Sequence, residues 1–412
     1  MSILGKNISA NLLSNLWLTV LMLALTPFYI FFLGIESYGL IGFYLSWVAI
    51  LGILDVSVSV TAVNEIAWRS SQPEMKKTIP ILLRSLEIAY WIIILVSGLG
   101  ILLGAWFFGA GWFKAESLSP EVIRGVLMLM SISLVVQVPS GLYIGGLIGL
   151  QLQVECSAIQ AIFGTLRGLG SLLVLWLISN DLYMFFIWQI VITFLQTGVL
   201  RWLLWRRIDI SEQLAKFSAK MLLTVKEYVG AIMLIGVLGM ILSQADKMVL
   251  SKMASLEDYG FYMLAWTVVA GFSRIATPLI NAFHPQFTQL VATGDETGLA
   301  NKLSFASQLM SALIIPPIAF VVLFSKPILL IWIGNEFTAE GTAPILMIMV
   351  IGTMFSSCAY PSLSILYSRK QLKPVIVLNL ICLIAFIPLL ILSVYCFDII
   401  GAAYVLSIYG FF

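Results

Sequence analysis

Apolar residues come in long runs along this chain, separated by short polar connections. About 20 apolar residues cross a bilayer as a helix. On that rule spans fall near residues 10–33, 39–67, 79–109, 121–149, 154–178, 182–204, 225–251, 258–289, 303–325, 343–367 and 374–397. A twelfth begins near Ile399 and reaches Phe412 after 14 residues, which predicts a last helix that is short or cut off. The opening "MSILGKNISANLLSNLWLTVLMLALTPFYIFFLG" carries one lysine before a run of spanning length, with no small-x-small cleavage site. A secretory apolar region is only about 7–15 residues long, so this segment is expected to stay as the first transmembrane helix. Prolines within the runs, Pro139 and Pro388 among them, mark kinks.

Composition turns this pattern into a fold class. The chain of 412 residues is 61% hydrophobic and 10% charged, with a mean hydropathy of +1.04. Soluble domains carry about 25% charged residues, so this chain lacks the polar surface that water would require. The expected class is an all-α integral membrane protein of about 12 transmembrane helices.

Charge then orients the spans. With the N-terminus and every second loop on the cytoplasmic side, that side holds 14 basic residues: Lys6, Arg69, Lys76, Lys77, Arg201, Arg206, Arg207, Lys216, Lys220, Lys226, Lys302, Arg369, Lys370 and Lys373. Only Lys114, Lys252 and Lys326 fall outside. The positive-inside rule asks for this bias, and the even number of spans then puts both termini in the cytoplasm. The longest polar connection runs from Arg206 to Lys226 and separates two sets of six spans. The expected organisation is a six-helix bundle over 1–205, a linker over 206–224 and a second six-helix bundle over 225–412. A repeat supports it: Glu36-Ser37-Tyr38-Gly39 and Glu257-Asp258-Tyr259-Gly260 lie 221 positions apart, each leading from the first span of a half into the second. Such a parallel repeat is related by an axis along the membrane normal.

Several chemistries drop out. A net charge of +2 argues against a nucleic-acid partner. Cys156, Cys358, Cys382 and Cys396 stand singly in apolar runs, forming neither a disulfide framework nor a CxxC site. One histidine, His284, does not make a His-based metal site. No P-loop, G-x-S-x-G or H-E-x-x-H occurs. The longest outer loop, about Ser325 to Thr342, holds Lys326, Glu336 and Glu340 but no acid–base cluster. A carrier is expected, not an enzyme.

Certain segments carry a family resemblance: the tyrosine–glycine opening span 2, Asp55 in "ILDVSVS", the span 7–8 stretch "SQADKMVLSKMASLEDYGFYMLAW" and the exit "LINAFHPQFTQL". With them the chain resembles the polysaccharide-unit flippases of the multidrug/oligosaccharidyl-lipid/polysaccharide (MOP) exporter superfamily. It departs at Ser57, where the family pattern has a glycine. The resemblance implies a V-shaped pair of six-helix bundles that opens alternately to each side of a bacterial inner membrane. The implied cargo is a short oligosaccharide on undecaprenyl pyrophosphate. Membrane lipids and a glycan polymerase machinery are the other expected partners, and a proton or sodium ion is the expected coupling ion. The alternatives are a drug/cation antiporter of the same superfamily and a lipid II flippase.

A charge at the bilayer centre costs about 2.5–3.5 kcal/mol on insertion scales, so the charges inside spans are the site candidates. Arg84, three residues before Glu87, reads either as an ion pair or as a portal residue. Arg124, three residues after Glu121, is placed to snorkel outward. Arg167, in "FGTLRGLGSLL", has no acid within a turn and reads as a cavity cation or as a paired arginine in tight packing. Asp55 and Arg274 lie deep in spans 2 and 8, nearly equivalent positions of the two halves. Arg167, Arg274, Lys247, Arg84 and Arg124 are together the expected cations for the pyrophosphate. Asp246 and Lys247 are adjacent, about 100° apart on a helix, so Lys247 is expected to snorkel and Asp246 to need a partner on another helix or a bound ion. Asp55, Asp246 and His284 are the expected coupling or gating groups.

Overall fold

The structure is a computed structural model and describes residues 3–70, 72, 74–208, 216–369 and 372–411. Its helices are α1 (Ile3–Leu33), α2 (Ile35–Ser70), α3 (Ile79–Trp112), α4 (Pro120–Gln137), α5 (Ser140–Gly149) and α6 (Gln153–Leu177), followed by α7 (Leu182–Arg207), α8 (Ala219–Met253), α9 (Leu256–Thr293), α10 (Glu296–Ile333), α11 (Glu336–Ser368) and α12 (Leu372–Phe411). Among the described residues there is no strand, and ten stretches are long and apolar enough to cross a membrane. Hydrocarbon offers no partner for backbone N–H and C=O groups, and a helix satisfies them within itself. The protein is an all-α, multi-pass membrane protein.

Two of the expected spans are interrupted, one at Pro139, where a kink was expected, and one at Phe397–Asp398 instead of at Pro388, which stays inside the helix. The run 121–149 is broken at Pro139 into α4 and α5. Proline has no N–H to give Val135, and its ring collides with that carbonyl, so the ladder stops there. In α12, Phe397 and Asp398 leave helical geometry, and Asp398 takes φ 51°. The chain folds back at this point: Ser393 Oγ donates to the Gly401 carbonyl at 3.1 Å, and the Phe386 and Tyr409 rings meet at 5.5 Å. The bend falls where a twelfth span was expected to begin, near Ile399.

Packing gathers the chain into two units, Met1–Leu33 with Phe43–Gln244, and Gly34–Gly42 with Ala245–Phe412. In unit 1, α6 packs on α1 and α7, and α4 packs on α3 and α7. Leu82, Leu83, Leu142, Tyr143, Leu147, Leu200 and Leu204 form its buried centre. In unit 2, α11 packs on α9, α10 and α12.

Within unit 2 the repeated segment packs on its own copy. A Cβ at Gly39 would stand 2.8 Å from the Leu256 carbonyl oxygen, and one at Gly260 would run into the Ile35 carbonyl. Each residue of one pair lies 221 positions from its counterpart in the other, the spacing of the sequence repeat. Only glycine lets two backbones approach this closely, as small residues do at membrane helix crossings. Tyr38 and Thr267 close the crossing with a 2.8 Å hydroxyl–hydroxyl bond.

Candidate functional site

The buried charges fall into three groups. The first is in unit 2. Ser255 caps α9 by accepting from the Asp258 N–H, and only Ala254 and Ser255 separate α9 from the end of α8. Tyr262 and Trp266, four apart and therefore on one face, reach Asp246 and Lys247. The Lys247 ammonium lies 3.2 Å from both Asp246 carboxylate oxygens. Tyr262 donates its hydroxyl to Asp246 Oδ2 at 2.6 Å. The Lys247 nitrogen also sits 3.6 Å from the centre of the Trp266 ring. Asp246 is 0% exposed and Lys247 1%.

Two expectations are corrected by this geometry. Lys247 does not snorkel, and the adjacent pair does meet. The 100° between two neighbouring Cβ directions is bridged by the four-carbon lysine stem, which curls back over its own helix. Asp246 does find the partner on another helix that it was expected to need, and that partner is the Tyr262 hydroxyl.

The second group is in unit 1, near the ends of α3 and α7. The Arg84–Glu87 pair forms as expected, at 2.9 Å. Glu87 also takes the Arg201 Nε and the Tyr143 hydroxyl, each at 2.7 Å on its Oε1. Arg84 lies over the Trp205 ring, 5.7 Å from its centre. Arg201, counted at the sequence level among loop charges, is inside α7 as part of this network. Here the carboxylate is sealed, whereas the Arg84 and Arg201 side chains are 31% and 38% exposed.

The third group surrounds Arg167 in the middle of α6. One guanidinium nitrogen donates to Gln196 Oε1 on α7. The Nε of Arg167 is buried without a hydrogen-bond partner, and no carboxylate is paired with Arg167 among the described residues. Tyr44 of α2 is bonded to Ser133 at 2.8 Å and donates to Gln137 Oε1 at 3.0 Å. Thr193, one turn before Gln196 on α7, buries a hydroxyl that also has no partner.

Arg124, expected to snorkel outward, lies over the Trp106 ring, 5.7 Å from its centre, with its Nε buried and without a hydrogen-bond partner. The Arg274 side chain is exposed on α9. His284 Nδ1 is 2.8 Å from Ser364 Oγ on α11, an ordinary interhelical hydrogen bond. The Asp55 side chain and linker residues 209–215 lie outside the described residues. Among the described residues no three His, Cys, Asp or Glu groups converge as a metal site. Tyr262, Trp266, Arg201, Tyr143 and Gln196 were not singled out from the sequence. Only the first two had a local signal, one helical turn apart in the stretch that holds Asp246.

Solved structures similar to this fold include transporters and a flippase. A MATE family multidrug resistance transporter of the MOP superfamily, in an inward-facing conformation, is 14% identical over 95% of this chain and 93% of its own, with a TM-score of 0.69. The lipid II flippase MurJ, in an inward closed conformation, is 17% identical over 98% of this chain and 84% of its own, with a TM-score of 0.66. A MOP superfamily transporter from Pyrococcus furiosus is 12% identical over 97% of this chain and 94% of its own, with a TM-score of 0.56. No curated protein matches the chain by sequence. The family model for polysaccharide biosynthesis proteins matches residues 4–291. With that match over most of its length and this fold, the chain belongs to the polysaccharide biosynthesis protein family and is a membrane flippase or transporter of the MOP superfamily.

Proposed function

We propose that this protein carries a polyprenyl-pyrophosphate-linked oligosaccharide from the cytoplasmic to the outer leaflet of a bacterial inner membrane by alternating access. The observation that carries the reading is Arg167. A half-buried arginine whose buried Nε has no hydrogen-bond partner, and to which no carboxylate is paired among the described residues, is a poor feature for a carrier of cations. It suits a cargo that brings its own negative charge, and a diphosphate offers the paired oxygens a guanidinium prefers. Arg274, exposed on α9, is the second cation of this reading. The polysaccharide biosynthesis family supports a lipid-linked glycan as cargo, and MurJ, which shares the fold, is a flippase of lipid II. The basic bias of alternate loops places both termini in the cytoplasm. A proton or sodium gradient supplies the energy, and the glycan polymerase machinery takes the product.

Deletion of the gene should remove long surface glycan from gels, and the wild-type chain should restore it. Arg167→Ala or Arg274→Ala should insert normally and fail to restore it, with Arg→Lys restoring part. Normal glycan from both alanine proteins would sink the pyrophosphate assignment. Coupling is tested in proteoliposomes under an imposed pH or sodium gradient. Gradient-stimulated transport by a stable Asp246→Asn protein would remove Asp246 from the coupling role.

A further inference from the structure

The interior face of α7 is polar but carries no charge. From Leu182 to Leu200 the helix has no acid and no base. Gln189, Thr193, Gln196 and Thr197 nevertheless fall within about 100° of arc on it. That face is turned inward: Gln189, Thr193 and Thr197 are 2–6% exposed, whereas Phe194 and Leu195, on other sides of the helix, are 66% and 49% exposed. Thr197 Oγ1 donates to the Val136 carbonyl of α4 at 3.1 Å, and Thr193 keeps a buried hydroxyl without a hydrogen-bond partner. Gln196 is the member of the face that meets a cation, the Arg167 guanidinium of α6.

The chemistry of that contact is one-sided. Arginine has only donors, so the amide presents its oxygen. One acceptor serves one guanidinium nitrogen, and the Arg167 Nε stays without a partner. Glutamate has the same length and shape and would offer two acceptors, the pairing that an arginine edge prefers. Its charge would also cancel that of the arginine. An amide holds the guanidinium and cancels nothing. Among the described residues no carboxylate is paired with Arg167, so the Arg167–Gln196 pair keeps one positive charge where an Arg–Glu pair would keep none.

We propose that Gln196 sets the charge selectivity of the carrier: it positions Arg167 while leaving that charge for an anionic headgroup. The inference rests on the reading of Arg167 given above and adds the residue that keeps the arginine both held and uncompensated. An acid at 196 would occupy the guanidinium from within the protein, and a cargo phosphate would have to displace it. Structural need alone makes the opposite demand, since a carboxylate bonds a guanidinium more strongly than an amide does.

Native mass spectrometry of the purified full-length chain tests this with two probes that share one tail, undecaprenyl monophosphate and undecaprenol. The wild-type chain should retain the phosphate form in preference. Gln196→Glu should lower retention of the phosphate form about tenfold, leave undecaprenol unchanged and melt no lower than wild type. Gln196→Leu keeps the charge and loses the support, so its loss should be smaller, about threefold, and again confined to the phosphate form. Gln196→Asp, the shorter acid, replaces the glutamate protein where that does not reach the membrane. A Gln196→Glu protein that retains the phosphate form as wild type does, while Arg167→Gln loses it, would overturn the role of Gln196 and leave the carrier reading standing. Unchanged retention by Gln196→Leu would overturn the positioning, and loss of both probes together would reduce Gln196 to a structural residue. Equal retention of the two probes by the wild-type chain, or normal retention of the phosphate form by Arg167→Gln, would remove the pyrophosphate assignment itself.

Discussion

In unit 1, Glu87 gathers a tyrosine hydroxyl, two guanidinium groups and an indole face; in unit 2, Asp246 gathers a tyrosine hydroxyl, one ammonium and an indole face. The parts correspond, and access to water does not. Arg84 and Arg201 each keep about a third of the side chain exposed, whereas Lys247 and Asp246 keep essentially none. The Glu87 network has two cations and solvent to fall back on. Among the described residues the Asp246 group has one cation, Lys247. Burying two charges carries a desolvation penalty that their attraction repays only while both are present. The same motif is therefore redundant in one unit and brittle in the other.

The largest expected effect follows from that brittleness. Lys247→Met leaves the Asp246 carboxylate buried against a single tyrosine hydroxyl and should cost about 3–5 kcal/mol. It would be read as a collapse of expression and melting temperature in detergent. Lys247→Met combined with Asp246→Asn removes both charges and should recover most of the loss. A single variant that melts within a degree or two of wild type would show that water reaches this pair, and the contrast between the units would disappear.

Glu87→Gln is the matching change in unit 1. Its two arginines turn to solvent instead of being stranded, so the expected cost is about 2 kcal/mol, the loss of hydrogen bonds to a charged group. Arg201→Gln alone should cost less, about 1 kcal/mol, because Arg84 still neutralises Glu87 and the pair is partly screened. Redundancy has a sharper signature than either value. Arg84→Gln with Arg201→Gln should cost clearly more than the two single changes added. Strict additivity would mean that each arginine acts alone.

How much of this was legible depended on the distance between partners in sequence. The spans follow from composition, because a bilayer forces any apolar run of that length into a helix. Arg84 and Glu87 were legible as well, since spacing on one helix fixes their meeting. Tyr143 and Arg201 lie 56 and 114 residues from Glu87, and nothing local announces that α3, α5 and α7 bring them together. Asp246 and Lys247 show a different limit. Their Cβ directions diverge, but a long flexible side chain is not bound to its Cβ direction once burial leaves one partner available. The Arg167–Gln196 contact was hidden for a third reason, because a search for acids around a cation passes over an amide.

Tyrosine supplies the next test. Tyr262→Phe removes one of the two donors to a sealed carboxylate and should cost about 2 kcal/mol, with Tyr143→Phe nearer 1 kcal/mol, since Glu87 keeps two arginines. Melting curves of the two phenylalanine proteins decide it, and a reversed order would put the brittle network in unit 1.

The smallest effect is the cation on the indole face, and it needs a cycle to be seen. The Lys247 nitrogen sits 3.6 Å from the Trp266 ring centre, out of water, while the Arg84 guanidinium sits 5.7 Å from that of Trp205 with solvent beside it. A cation on a ring is worth about 0.5–1 kcal/mol when exposed and about 2 kcal/mol when desolvated. Single Trp→Leu changes would not rank the two. Trp205 is the more deeply buried ring, so its removal leaves the larger cavity and the larger raw loss. Pairing each tryptophan change with the loss of its cation cancels the cavity cost. Trp266→Leu with Lys247→Met should give a coupling of about 1 kcal/mol or more, and Trp205→Leu with Arg84→Gln about 0.5 kcal/mol or less. Both Lys247 proteins should be measured over Asp246→Asn, so that the stranded carboxylate does not swamp the difference. Equal couplings in the two cycles would show that burial does not separate these two rings, and that the contrast between the units rests on the carboxylates alone.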